Sequence, residues 1–182
     1  MTPFQASVPL TQTWRHFDFA VGDGVARITF DRPAKLNPLT FDSYADLRDL
    51  FHQLPLRDDV RAVIITGHGR GFCSGGDVEE IIAELQKKGA AELLEFTRMT
   101  GHMIRAIRDC PIPVIAAVNG IAAGAGSVIA LASDFRLVAD TASFAFLFTK
   151  VGLSGADMGA AYLLPRIVGL GRATELLMLG DK

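Results

Sequence analysis

Two glycine-rich stretches carry residue types that suit catalysis by the backbone. The first ends in Gly75-Gly76-Asp77, and the second, NGIAAGAG, ends in Gly124-Ala125-Gly126. Glycine lets a backbone approach a ligand closely, and the first amides of a helix have no acceptor within the helix. Two such loops can each direct one amide at a single carbonyl oxygen, as in an oxyanion hole. For either stretch alone, close helix packing is an open alternative.

Asp157 is the most conspicuous candidate for moving a proton. It stands in VGLSGADMGAAYLL, and no other charged residue occurs between Lys150 and Arg166. Burial among glycine, alanine and methionine would raise its pKa towards the range that is useful for proton transfer. An aspartate in front of a helix also commonly serves as its N-cap. Both roles, catalysis and capping of the helix through Tyr162, stay open at this point.

Other reactive residue types fit ordinary structural roles. Glu79 and Glu80 are expected to start a helix and face water, and His102 is expected to pack within a helix. No histidine or aspartate is placed in the sequence to activate Cys73, so a small buried residue is expected there. No cluster of His, Cys and carboxylates has metal-ligand spacing, and we expect no metal. The glycine stretches match neither G-x-G-x-x-G nor the P-loop pattern, which argues against a nucleotide site.

The elements that must position these residues alternate between strand and helix. Twice a buried strand leads into a glycine-rich loop that opens a helix, a pattern that predicts an α/β architecture with its loops at the carboxyl ends of the strands. The expected elements are a hairpin turning at Asp23-Gly24, a helix capped at Thr40 or Asp42, strands at 62–66, 114–118 and 135–139, helices at 77–88 and 90–108, an apolar segment at 144–148, and two short helices divided by Gly169-Leu170-Gly171.

Length and composition indicate one globular domain. The chain has 182 residues, 49% of them hydrophobic, which is enough for one sizeable core. Eighteen Lys and Arg against twenty Asp and Glu give a net charge of -2 without a basic arm, so neither nucleic acid nor an anionic membrane is expected as a partner. Two isolated cysteines and the lack of a signal or membrane-spanning segment predict a cytoplasmic protein. We expect residues 1–16 to be a loose lead-in and residues 17–182 to form the domain.

Four blocks in a fixed order resemble the enoyl-CoA hydratase/isomerase (crotonase) superfamily from about Phe17 onwards. They are DRPAKLNPLT, AVIITGHGRGFCSGGDVEE, PVIAAVNGIAAGAGSVIALASDFRLVADTASF and LLPRIVGLGRATELLMLG. The resemblance implies an α/β fold with a β-spiral core of repeated ββα units, and a homotrimer or hexamer assembled largely through C-terminal helices. That helical segment is expected to be missing beyond Lys182, which would leave Leu176, Leu177 and Leu179 in need of a covering surface.

The resemblance also implies the substrate and the residues that bind it. An acyl-CoA would place its thioester oxygen between the amides of Gly76 and Ala125. No separate cofactor is implied, because coenzyme A is part of the substrate. By position in the motifs, the backbone around six residues would receive the pantetheine and adenine: Lys35, Leu36, Asn37, Ser74, Asp77 and Val78.

The chain departs from the family pattern where typical hydratases carry two catalytic glutamates. Those positions fall at Val128 and near Phe148, so the paired-glutamate mechanism does not transfer. Asp157 matches a position at which some isomerases and a dehalogenase branch carry an aspartate. The resemblance therefore implies an enzyme that stabilises a thioester enolate and shifts, or hydrates, a double bond with a single Asp. The alternatives are an aspartate-nucleophile hydrolase or dehalogenase-like enzyme, and a non-catalytic acyl-CoA-binding homologue.

Overall fold

The chain repeats one local arrangement, two strands followed by a helix, and distributes the strands between two sheets. A computed structural model describes residues 10–181. The strands are β1 Asp18–Gly22, β2 Val25–Phe30, β3 Ala62–Gly67, β4 Gly71–Cys73, β5 Val114–Val118, β6 Ile121–Ala123, β7 Phe135–Val138 and β8 Ser143–Ala145. The helices are α1 Phe41–Gln53, α2 Ala83–Leu85, α3 Ala90–Asp109, α4 Ala125–Ala132, α5 Ala160–Leu163, α6 Pro165–Val168 and α7 Leu170–Leu179.

The strands form two sheets of five and three strands. The larger sheet has the order β1-β2-β3-β5-β7, and the smaller one has the order β4-β6-β8. All neighbouring strands are parallel except β1 and β2. The first pair, β1 and β2, lies wholly in the larger sheet, whereas each of the next three pairs gives its first strand to the larger sheet and its second to the smaller one. This arrangement confirms the predicted α/β fold of repeated ββα units.

Local sequence signals account for several elements. The β1–β2 hairpin turns at Asp23 and Gly24, which both have positive φ, as a two-residue hairpin turn of type I′ requires. Helix α1 begins at a capping box, in which Thr40 accepts from the Ser43 amide and Ser43 accepts from the Thr40 amide. Of the two predicted caps, Thr40 is therefore the one used. Strand β3 alternates fully and partly buried residues, as expected for an inner strand of a parallel sheet.

Two expectations about elements need correction, and the structure assigns the apolar segment, which had no predicted element. The predicted helix at 77–88 is instead a π-helical turn, Val78–Ile82, followed by the short α2 and a turn. The apolar segment at 144–148 leaves β8 after Ala145 and enters a 3-10 turn, Leu147–Val151. The two C-terminal helices are three, because Pro165 has no amide to donate and divides α5 from α6.

The structure describes the N-terminal segment only in part. Residues 1–9 of the expected lead-in lie outside the described residues, so the domain boundary stays a prediction. Within residues 10–181 no helix is both long enough and apolar enough to cross a bilayer.

Helix α3 contacts α1, the glycine-led helix α4 and the turn at Asp157–Gly159.

Candidate active site

The two glycine-rich loops leave the smaller sheet side by side. Strands β4 and β6 are parallel neighbours, with Cys73 paired to Ala122, so the segments that follow them emerge at the same edge. Gly126 approaches β4 closely, since a β-carbon there would lie 2.2 Å from the Cys73 carbonyl oxygen. Gly124 takes φ 49° and donates its amide to the Ala145 carbonyl at 2.8 Å. Only glycine permits both features, so these residues fix the start of α4 against β4.

The amides of Gly76 and Ala125 are free to bind a ligand. Leu39 donates to the Gly75 carbonyl at 2.8 Å, and Asp77 donates to the Leu39 carbonyl at 2.9 Å. These bonds flank Gly76 and leave its own amide without an acceptor among residues 10–181. Ala125 is the first residue of α4, where an amide has no intrahelical acceptor. Both predicted oxyanion donors thus sit in conformations that suit the role.

One cavity of about 100 Å³ brings the predicted catalytic residues together. Its wall is mostly apolar and aromatic, and Asp157 is the one carboxylate that borders it in the described part of the chain. The lining residues are Tyr44, Ser74, Gly75, Gly76, Val78, Ile81, Ile82, Phe96, Gly124, Ala125, Leu147, Phe148, Val151, Leu153, Asp157 and Met158. Gly76, Ala125 and the half-buried Asp157 therefore border one largely apolar space.

Asp157 occupies a strained turn rather than a helix cap. It begins a 3-10 turn, Asp157–Gly159, in which Met158 has φ 53°. The N-cap of α5 is Gly159, and neither this helix nor the turn before it has a side-chain cap. The capping alternative is therefore wrong. Residues other than glycine rarely adopt positive φ, and such strain tends to occur at functional sites.

Burial makes the Asp157 carboxyl less acidic than an ordinary aspartate. Desolvation raises its pKa, and a hydrogen bond from the Met158 amide opposes the rise without cancelling it. The same residue also borders a second cleft of about 410 Å³, beside Thr97 and Gly101 of α3. Asp157 thus borders both the cavity and this more open cleft.

The two positions that match the hydratase glutamates differ in their surroundings. Val128 is fully buried in α4 and does not border the cavity. Phe148 does border it and is 4% exposed. An aromatic wall therefore stands at one glutamate position, and core packing at the other.

The predicted coenzyme A segments lie against each other. The Ser74 amide donates to the Leu36 carbonyl at 2.9 Å, and the Ser74 hydroxyl donates to the Lys35 carbonyl at 3.3 Å. The Asn37 side chain is buried, where it accepts from the Arg32 amide and donates to the carbonyls of His68 and Gly71. Asn37 therefore holds the loop in shape with its side chain.

The outer rim of these segments is charged. The Lys35 ammonium lies 3.0 Å from Glu79 and 3.7 Å from Oδ2 of Asp77. That oxygen accepts no aligned hydrogen bond, although Arg32 approaches it to 3.0 Å. Burial alone would raise the pKa of Asp77, but hydrogen bonds from the Glu80 and Glu79 amides, with Lys35 and Arg32 nearby, lower it overall. Asp77 thus stays ionised and caps the π-helical turn.

The remaining candidates do not join the cavity. Cys73 is fully buried, and burial raises the pKa of its thiol to about 12, so it is not a nucleophile. His102 lines a separate groove with Phe41 and Arg98. Glu79 and Glu80 are 82% and 49% exposed. Among residues 10–181 no three His, Cys, Asp or Glu side chains are grouped to hold a metal ion.

Sequence reasoning missed several residues of the cavity wall. The sequence assigned no site role to Tyr44 or Met158, whereas Ile81 and Phe96 fall in the segment 81–98, which was expected to supply pocket walls. The apolar or aromatic types of Tyr44 and Met158 fit any buried position, so the sequence contains no signal that separates cavity wall from core. The one available hint was a hydroxyl on the buried face of α1.

Comparisons with known proteins agree with this fold. The enoyl-CoA hydratase/isomerase family model matches residues 20–182. The chain therefore belongs to the enoyl-CoA hydratase/isomerase family. A 1,2-epoxyphenylacetyl-CoA isomerase of Escherichia coli (strain K12) is 38% identical over 164 residues, which cover 89% of this chain and 62% of the relative.

Solved structures of enoyl-CoA hydratases share the fold of this chain. A crystal structure from Streptomyces coelicolor A3(2), provisionally described as an enoyl-CoA hydratase, has 61% identity and a TM-score of 0.95, and the match covers 100% of this chain and 66% of that one. An enoyl-CoA hydratase from Bacillus anthracis has 30% identity and a TM-score of 0.82, with 92% and 64% covered. The chain spans 61% and 62% of the length of two curated relatives.

Proposed function

We propose that the protein acts on acyl-CoA thioesters, stabilises their enolates and shifts a carbon–carbon double bond. The observation that carries this proposal is the shared cavity, which Gly76, Ala125 and Asp157 border together with a mostly apolar wall. Family membership supports the acyl-CoA substrate. The relative named 1,2-epoxyphenylacetyl-CoA isomerase supports isomerisation.

The proposed chemistry needs one acid/base group and two fixed donors. The Asp157 carboxylate removes a proton from the carbon next to the thioester carbonyl, and the electron pair moves onto the thioester oxygen. The Gly76 and Ala125 amides stabilise that oxyanion, each contributing about 3 kcal/mol to transition-state binding. The protonated Asp157 then returns the proton at the far end of the conjugated system, and the double bond moves.

Binding of coenzyme A is proposed for the segments that contain Lys35, Leu36, Asn37, Ser74, Asp77 and Val78. Ser74 and Val78 border the cavity, and Lys35 extends a half-exposed ammonium group beside them. These segments would thus connect the cavity to a charged rim, as a long substrate with a polar end requires. The aromatic side chains of Tyr44, Phe96 and Phe148 suit an apolar or aromatic acyl group.

Hydration is the weaker form of the proposal. It needs a second group to orient and activate water, whereas Val128 and Phe148 occupy the glutamate positions. An aspartyl ester intermediate would need a positioned histidine, and His102 does not border the cavity. A non-catalytic role would not explain why the half-buried Asp157 borders the cavity.

The test is turnover by wild type and Asp157→Asn with a panel of positional isomers of aliphatic and aromatic enoyl-CoAs. Loss of a general acid/base typically costs about 10²- to 10⁴-fold, so kcat should fall by that amount. Asp140→Asn, at an exposed position after β7, is the matched control and should retain wild-type turnover.

Two further readouts separate the alternatives. Wild type should catalyse exchange of the α-proton of a saturated acyl-CoA with deuterated water, and Asp157→Asn should not. Wild-type rates in the variant would remove Asp157 from the mechanism. An aspartyl ester found by mass spectrometry would favour the nucleophilic alternative, and tight acyl-CoA binding without exchange or turnover would favour the non-catalytic one.

A further inference from the structure

Tyr44 places a polar group in the cavity beside the proposed oxyanion donors. It lies near the start of α1, on the buried face with Leu47 and Phe51, and it is only 3% exposed. Its ring meets Phe96 edge to face, with centroids 5.9 Å apart. Its hydroxyl lies 3.3 Å from the point that a β-carbon on Gly76 would occupy. The Tyr44 oxygen is thus close to the residue whose amide faces the cavity.

No group among residues 10–181 forms a hydrogen bond with the Tyr44 hydroxyl. The hydroxyl is not one of the fully buried atoms that lack a partner, so it is accessible from the cavity that Tyr44 and Gly76 both border. A buried tyrosine usually finds a partner for its hydroxyl, and a phenylalanine would fill the same space beside Phe96. The hydroxyl therefore fits a partner that arrives with the ligand.

We propose that Tyr44 donates a third hydrogen bond, from its O–H, to the thioester oxygen held by the Gly76 and Ala125 amides. This proposal rests on the proposed acyl-CoA function and assigns one more substrate-contacting residue to that site. Asp157 remains the group that carries the proton. Tyr44 adds to the stabilisation of negative charge as the enolate forms.

The electrostatics of the cavity keep the hydroxyl in its donating form. Burial raises the pKa of Tyr44 well above its ordinary value, and Cys73 and Asp157 raise it further. The phenol therefore stays protonated wherever the enzyme would be assayed. It can donate a hydrogen bond to the substrate throughout, but it cannot serve as a base.

The first experiment compares wild type, Tyr44→Phe and Tyr162→Phe. Tyr44→Phe removes one oxygen and keeps the ring that packs on Phe96, so Tm should stay close to that of wild type. kcat/KM for an enoyl-CoA should fall about 10- to 100-fold, as for the loss of a donor to a developing charge. Tyr162 is 62% exposed and lies outside the cavity, so Tyr162→Phe should match wild type.

A spectroscopic readout tests the hydrogen bond itself. A cinnamoyl-CoA absorbs at longer wavelength when its thioester carbonyl is polarised, so binding to wild type should shift its absorbance to the red. The shift should be smaller in Tyr44→Phe and unchanged in Tyr162→Phe. A purely structural role for Tyr44 would lower Tm without changing the spectrum of bound ligand.

The outcomes separate this proposal from the function on which it rests. If wild type binds and turns over acyl-CoA while Tyr44→Phe gives equal kcat/KM and an equal red shift, the role of Tyr44 is overturned and the proposed function stands. If wild type neither binds nor turns over acyl-CoA, both are overturned. A reduced kcat/KM together with a reduced shift, at unchanged Tm, supports the third donor.

Discussion

The pKa of the Asp157 carboxyl is raised by its apolar surroundings and not by a charged partner. The residue sits in a turn with glycine, alanine and methionine, on a mostly apolar cavity wall. Desolvation is the larger influence on its pKa, and it favours the protonated carboxyl. The environment that would suit Asp157 to the proposed role of base therefore makes its ionised form costly to the folded protein.

This cost predicts how stability depends on pH. The folded-state pKa of Asp157 is raised above the ordinary aspartate value of 3.8, so between the two values the folded protein binds more protons than the unfolded chain. The Asp157 contribution to stability is complete below pH 3.8 and is lost as pH rises through the raised value. The free energy of unfolding of Asp157→Asn, relative to wild type, should therefore increase with pH across that window and then level off.

Urea unfolding of both proteins at a series of pH values measures this difference. Other titrating groups are shared by the two proteins and cancel in the comparison. The exposed Asp140→Asn variant should show no such trend. A difference between Asp157→Asn and wild type that falls with rising pH would mean that Asp157 is stabilised as an anion in the folded state.

At the scale of elements, the site depends on how closely α4 approaches β4. Gly126 lies in the first turn of α4 against the Cys73 carbonyl, and the amide of Ala125 immediately precedes it. Any side chain at Gly126 must push the start of the helix away from the sheet. The position of one oxyanion donor is therefore determined by the absence of a single β-carbon.

Gly126→Ala should consequently damage activity more than it damages the fold. A β-carbon 2.2 Å from a backbone oxygen forces a local shift, for which overpacking typically costs about 1–3 kcal/mol. Displacing a catalytic donor by about 1 Å can cost about 10²-fold in rate. Enzyme assays and thermal unfolding on the same samples measure both effects.

Gly171→Ala is the matched control for that substitution. A β-carbon at Gly171, in α7, would meet nothing within 4 Å. This change should leave kcat/KM unaltered and raise stability by a few tenths of a kcal/mol up to about 1 kcal/mol, because alanine favours helix. Full activity in Gly126→Ala would show that the Ala125 amide does not need its present position.

At the scale of the whole molecule, strand β7 exposes an apolar edge of the larger sheet. β7 is the last strand in the order of that sheet, and Phe135, Leu137 and Val138 are 60%, 66% and 49% exposed. Edge strands with exposed apolar side chains are ready surfaces for association. The family resemblance implies a homotrimer or hexamer, and β7 offers a surface on which copies of the chain could meet.

We expect the protein to associate in solution and Leu137→Lys to weaken that association. A lysine on the exposed edge places a charge where an apolar contact would form. Light scattering with size-exclusion chromatography, at one protein concentration, should show a smaller mass for the variant than for wild type. Leu94→Lys, on a half-exposed position of α3, is the control and should keep the wild-type mass. A monomeric wild type at high concentration would contradict the expectation.

Local chemistry made much of the fold predictable. The hairpin at Asp23-Gly24, the cap at Thr40 and the buried strand β3 follow from turn chemistry, capping and side-chain pattern within a few residues. The two glycine-rich loops were also visible, because glycine at such density cannot form the interior of a helix or strand. Prediction failed at Val78–Ile82, where the residues after the Asp77 cap form a π-helical turn instead of an α-helix.

The sequence by itself determined which groups could do chemistry: two glycine-rich loops, one isolated aspartate and the two positions without a glutamate. Only the tertiary structure decided which of them meet. In the structure Gly76, Ala125 and Asp157 border one cavity, and Val128 does not. Asp157 does not cap a helix. Tyr44, which had no predicted site role, also lines the cavity. The reason is physical: turn and strand preferences act over a few neighbouring residues, whereas a cavity wall depends on the packing of segments that are distant along the chain.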